Sequence, residues 1–178
     1  KDLAGHIFGR ITPEGDVIPW RFDSKAVAQQ DLLQYHDSAV TNERHQTRTQ
    51  APGKLLDLAG LAAILAPRGF SAKEVLSTYQ KMYEAQVVSY PRTEDKTVTP
   101  EQFNELLPKI DQIAQVVHVD TALLTHRQPR ATHVQNQGAH GANRPGENVP
   151  ADLATLTKFG ASAQAIYEVL AKNYLAML

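Results

Sequence analysis

The amino-acid sequence predicts an α+β fold that is mainly helical. Three observations carry this expectation. Apolar side chains recur at helical spacing in four stretches after residue 51, while β-favouring runs gather in the first fifty residues. Helix-start signals precede those stretches, among them the capping box Ser71-x-x-Glu74 and the pair Thr99-Pro100. A length of 178 residues allows one sizeable core or two small ones.

Taken in order, residues 6–12 and 17–22 are β-favouring runs around the turn sequence Pro13-Glu14-Gly15-Asp16, with Ile18, Trp20 and Phe22 on one face of a hairpin. Asp23-Ser24 caps a short helix to about Tyr35, with Val27, Leu32 and Leu33 as its apolar contacts. Residues 39–49 read as an exposed strand whose Arg44 and Arg48 face either solvent or a nucleic acid. Pro52 opens a structural helix that buries Leu55, Leu58, Leu61, Ala62 and Leu65 before Pro67-Arg68-Gly69 ends it. From Ser71 to Gln86 a helix buries Val75, Leu76, Tyr79, Met82 and Tyr83, stapled at its start by Phe70. Thr99 caps the next helix, which Pro108 kinks or divides, with Phe103, Leu106, Leu107, Ile110, Ile113 and Val117 on its apolar face. Residues 162–178 form a last amphipathic helix with apolar positions 163, 166, 167, 170, 174 and 175.

Composition excludes several functions. A formal net charge of −1 gives no global basic character, so any nucleic-acid site is a local patch. With no cysteine there is no disulfide, thiolate zinc site or thiol nucleophile. No apolar run approaches the roughly 20 residues of a membrane span, and no signal peptide opens the sequence. We read the protein as soluble and cytoplasmic.

The stretch from Val87 to Asp95 carries the chemistry. Pro91 disfavours the α region for Tyr90, so Tyr90 is expected in extended backbone, with its phenol and the Arg92 guanidinium on one side. A phenol with a pKa of about 10 is a poor nucleophile at neutral pH and needs cationic help. Arg92 keeps its charge and its planar fork fits a phosphate, which points to attack of a tyrosine on a nucleic-acid phosphate. The same residues also describe an ordinary turn tyrosine beside a solvated arginine.

Residues 121–146 hold Arg127, Arg130 and Arg144 with three histidines and no acidic residue, amid many Gln, Asn, Gly and Pro. A locally cationic loop of this kind is a candidate phosphate-contact surface, or else an irregular solvated loop. The histidines at 118, 126, 133 and 140 show no i,i+4 pairing and no carboxylate partner, so no metal site is assigned.

Two motifs together carry a family resemblance. Gly69-Phe70-Ser71-Ala72-Lys73-Glu74-Val75, continuing through Tyr83-Glu84 to Val88-Ser89-Tyr90-Pro91-Arg92-Thr93-Glu94, resembles the active-site segment of type IA DNA topoisomerases. About fifty residues after the tyrosine, Gly138-Ala139-His140-Gly141-Ala142-Asn143-Arg144-Pro145 is similar to that family's "his-x-ala-ile-x-pro" motif. The sequence departs from the commonest pattern at Gly141 and Asn143, and the helix after Pro52 matches in part, with Leu56 and Ala62 in place of the usual tyrosine and glutamine.

The resemblance implies a tyrosine-bearing helical domain over residues 51–158. Residues 1–50 would be part of the β-rich arch, and 159–178 a helix returning to it. It makes Tyr90 the nucleophile toward one DNA strand, with Arg92 and His140 at the scissile phosphate; beside them Thr93, and Arg127, Arg130 and Arg144 of the cationic stretch, are the candidate DNA contacts. The implied reaction forms a 5′-phosphotyrosine link, passes a strand and religates without ATP. The start without Met, the end in a helical pattern and the lack of any Asp-x-Asp pair read as an excised bacterial piece without the acidic Toprim domain. Mg2+ would bind that domain, and the piece alone is expected to be inactive. Single-stranded DNA is the expected partner, with no membrane, no protein partner implied, and a monomer. Alternatives from other classes are a non-catalytic helical module binding single-stranded DNA, in which Tyr90 stacks on a base, and a tyrosine recombinase, which wants its tyrosine last in the chain.

Overall fold

The structure is a computed structural model. It describes residues 8–11, 17–20, 22–34, 50–138 and 140–178. By internal contacts the chain divides into two units, Lys1–Arg48 and Thr49–Leu178. In the first, strands β1 (Phe8–Ile11) and β2 (Val17–Trp20) pair antiparallel with Phe8 opposite Trp20 and Ile11 opposite Val17. Helix α1 (Lys25–Leu32) follows, its first turn closed by the Ser24 hydroxyl accepting from Val27 N. Ala28 is its buried residue, and the expected apolar contacts Val27, Leu32 and Leu33 are instead 50%, 51% and 86% exposed. The hairpin turn at 13–16 and the expected strand at 39–49, with Arg44 and Arg48, lie outside the described residues.

The second unit is helical. Its elements are α2 (Leu58–Leu65), α3 (Ala72–Glu84), α4 (Pro100–Leu106), α5 (Ile110–Val116) and α6 (Ala163–Leu175). Helix α6 packs against α2, α3 and α5, and its Ile166, Tyr167, Leu170, Ala171 and Tyr174 are fully buried. Helix α3 adds Val75, Tyr79 and Met82, and α4 and α5 add Phe103, Leu106, Ile110 and Ile113. Each fully buried side chain of this size contributes about 1.5–3 kcal/mol through water exclusion, so most of each stripe read from the sequence lies in the core, with Leu58, Ala62 and Leu76 half-buried at its edge. The last helix, implied to lead back to the arch, belongs by its contacts to this second unit.

Local signals explain the boundaries. Ser71 accepts from Glu74 N at 3.2 Å and starts α3. Thr99 and Gln102 form a reciprocal capping box, with Pro100 in the first turn of α4. Pro108 does divide the next helical stretch: the 3-10 turn Leu107–Lys109 separates α4 from α5. One expectation is corrected. Helix α2 starts at Leu58, not Pro52, because the backbone of Leu56 is committed to an antiparallel bridge in which its carbonyl accepts from Asn143 N at 2.8 Å.

Asp57 then caps α2, accepting from Gly60 N at 2.7 Å. That bond holds its carboxyl below the usual value of 3.8, with burial opposing and Lys96 assisting. A depressed carboxyl pKa gives stability that is complete above the ordinary value and lost as pH falls through the lowered one. Asp57→Ala is therefore expected to cost about 1 kcal/mol at neutral pH. The gap between variant and parent should narrow toward about pH 2, as read from urea unfolding at both pH values.

Candidate active site

The tyrosine segment and the histidine segment, distant in sequence, lie side by side. Ser89 N donates to Arg144 O at 3.0 Å and Gly146 N to Val87 O at 2.8 Å, around an antiparallel bridge between Val88 and Pro145. The Ser89 hydroxyl adds two contacts, accepting from Arg144 N at 3.0 Å and donating to Ala142 O at 3.4 Å. Gly146 is required here, since a Cβ would collide with the carbonyl of Gln86.

This pairing sets the rings of Tyr90 and His140 with centroids 4.6 Å apart and tilted by 41°. On its other side Tyr90 meets Tyr83 edge-on at 5.6 Å. All three line a hollow of about 240 Å³, together with Ser89, Glu105 and Arg144. Tyr90 is half-buried and His140 exposed. Tyr83, expected in the core with Tyr79, is 37% exposed and flanks Tyr90, whereas Tyr79 is fully buried. Tyr83 is the last aromatic before the end of α3, where the stripe turns out of the core.

Arg144 is 9% exposed. Its Nη2 lies 3.8 Å from Glu105 Oε2, and its Nε and Nη1 have no hydrogen-bond partner. Burial pushes its pKa down from the usual arginine value, against the attraction of Glu105. Glu105 is shifted up, first by burial and then by its neighbour Glu147. Burial also raises the phenol of Tyr79, which lies within the electrostatic reach of Arg144.

Arg92 and Thr93 are placed differently from expectation. The chain bends at Pro91 and Arg92, so the same-side rule for extended backbone does not apply, and Pro91 is buried. Arg92 and Thr93 line a separate hollow against Ala59, Ala62, Ala72 and Leu76. The Thr93 hydroxyl accepts from Asp95 N at 3.0 Å.

Arg127 and Arg130 do not line the Tyr90 hollow. The first pairs with Asp111 and the second donates from Nε to Met177 O at 2.6 Å, so both are tied into the fold. The stretch 121–146 is also less loop-like than expected: His133 is buried and its Nε2 lies 2.7 Å from Gly53 O, and Val134 bridges to Val98.

Gly141, a departure from the motif, has φ +71, and a side chain there would collide with the Gln102 amide. Sequence reasoning passed over Ser89, Asp95, Gln102 and Glu105. The glycines at 138 and 141, which leave room for Asp95 and Gln102, were the available signal.

Among the described residues, no three His, Asp or Glu side chains come together as a group that could hold a metal ion. Nor is any described helix long and apolar enough to cross a membrane.

Comparison with known families assigns residues 16–178 to the DNA topoisomerase family. The chain belongs to the type IA DNA topoisomerases, an isomerase family that binds DNA. No curated protein matches it. The assignment removes the tyrosine-recombinase alternative.

Arg144 can be tested against stability. A buried arginine with one distant partner adds little to folding, and an apolar replacement of similar length is neutral or stabilising in many proteins. Glu105 is exposed enough to be hydrated when left alone. Arg144→Met is expected to leave the urea midpoint unchanged or higher while weakening DNA binding about tenfold, measured by fluorescence anisotropy.

Proposed function

We propose that Tyr90 attacks the phosphorus of one DNA strand, and the observation that carries this is the placement of Tyr90 against His140 in one hollow with Arg144. The bond from phosphorus to the 3′ oxygen breaks as the bond to the phenolic oxygen forms. The phenol proton leaves to solvent and the 3′ oxygen takes one up, giving a 5′-phosphotyrosine and a free 3′-hydroxyl. His140 donates a hydrogen bond to a non-bridging oxygen as charge builds there. One ester replaces another, so strand passage and religation need no ATP.

In this reading Arg144 supplies a fixed positive field beneath the hollow, while Arg92 and Thr93 contact the strand beyond the Pro91 bend. Mg2+ belongs to a Toprim domain outside these residues, and the chain alone does not cleave. Single-stranded DNA is the partner of a monomeric, cytoplasmic, bacterial enzyme. The aromatic faces around Tyr90 favour one other reading, a base-stacking platform without covalent chemistry.

A single-stranded oligonucleotide labelled at its 3′ end separates the two. With the full-length protein and Mg2+, label is expected to migrate with the denatured protein, and Tyr90→Phe to abolish the transfer while retaining binding. Absence of transfer by a folded, DNA-binding parent protein leaves Tyr90 as a contact residue.

A further inference from the structure

We propose that Asp95 is a positioning residue whose carboxylate sets the loop carrying His140, and so the approach of the imidazole to Tyr90. The proposal rests on the roles given above to Tyr90 and His140. Asp95 Oδ2 accepts from Gly141 N at 2.9 Å and from His140 N at 3.3 Å. On the other side of the same peptide, Gln102 Nε2 donates to His140 O at 3.1 Å. The amide and the carbonyl of His140 are thus each held by a side chain, while the imidazole is left to face Tyr90.

Both clamps are themselves anchored. Asp95 N donates to the Thr93 hydroxyl, and Gln102 belongs to the capping box of α4. The loop is also shaped to admit them. Gly138 has φ +107, and a Cβ there would stand 2.7 Å from Asp95 Oδ2. A carboxylate collecting backbone N–H groups makes stronger bonds than a neutral acceptor, and Asp95 lies five residues beyond Tyr90 on the same turn. One short segment therefore carries the nucleophile and fixes the group that assists it. Misplacing a catalytic group by about 1 Å can cost about a hundredfold in rate.

The test combines a structural readout with a kinetic one. By NMR on this chain, Asp95→Ala is expected to speed amide exchange of His140 and Gly141 about tenfold. It should also remove the cross-peak between the Tyr90 and His140 rings, with the amides of Ile113 and Leu170 unchanged. Asp95→Asn keeps an acceptor and should restore exchange to within about threefold of the parent. In the full-length protein with Mg2+, Asp95→Ala should slow single-turnover label transfer about tenfold or more without changing oligonucleotide affinity. An unaltered ring contact and exchange rate in Asp95→Ala would overturn the proposal, and so would an unaltered transfer rate. Transfer that persists in Tyr90→Phe would instead sink the assignment of Tyr90, and the exchange data would still decide the Asp95 clamp.

Discussion

The site depends on a short antiparallel pairing between residues 86–89 and 144–148. Its backbone bonds, from Ser89 N to Arg144 O, Gly146 N to Val87 O and Asn148 N to Gln86 O, bring together two segments that propensity alone would leave as separate loops. What makes the pairing possible is the way α3 ends. Gln86 adopts φ +60 and Val87 N turns back to bond Met82 O, so the chain leaves the helix aimed at the histidine segment. A left-handed glutamine costs about 1 kcal/mol relative to glycine. The neighbouring glycine is used instead at 146, where close backbone contact forbids any side chain.

The pairing also decides where Arg144 goes. Its backbone is held by Ser89, so its side chain is turned inward beside Tyr79 and Tyr174, where burial lowers the guanidinium pKa and raises both phenols. Folding alone gives no reason to keep a charge there, because desolvation of a guanidinium exceeds what one partner at 3.8 Å returns. In the reaction proposed above, its place in the lining of the Tyr90 hollow gives a reason. A cation in a poorly hydrated wall acts on the hollow more strongly than one on the surface.

Much of this fold was legible in the sequence because the helical stripes are long and their caps are chemically explicit. Ser71, Thr99 and Pro108 each mark a boundary that the structure keeps. The start of α2 was not legible, because a bridge between Leu56 and Asn143 spans 87 positions and outweighs the local preference of Pro52 for a first helical turn. Of the site, Tyr90 and His140 could be named from motifs, but their contact could not, since it is made by the pairing between segments. Composition could not show how the arginines are held. Arg127 found Asp111 and Arg130 found a carbonyl, partners that no count of charges in one stretch reveals.

The bend at Pro91 separates two kinds of cation. Arg92 is exposed, and drawing such a side chain to one phosphate sacrifices up to about 2 kcal/mol of rotamer freedom. Arg144 has already surrendered much of that freedom in folding, since its side chain is buried. A charge that must act on a developing transition state is most effective when it needs no reorganisation at that moment. In the reaction proposed above, the buried arginine is therefore suited to the reacting phosphate and the exposed one to the strand as it arrives.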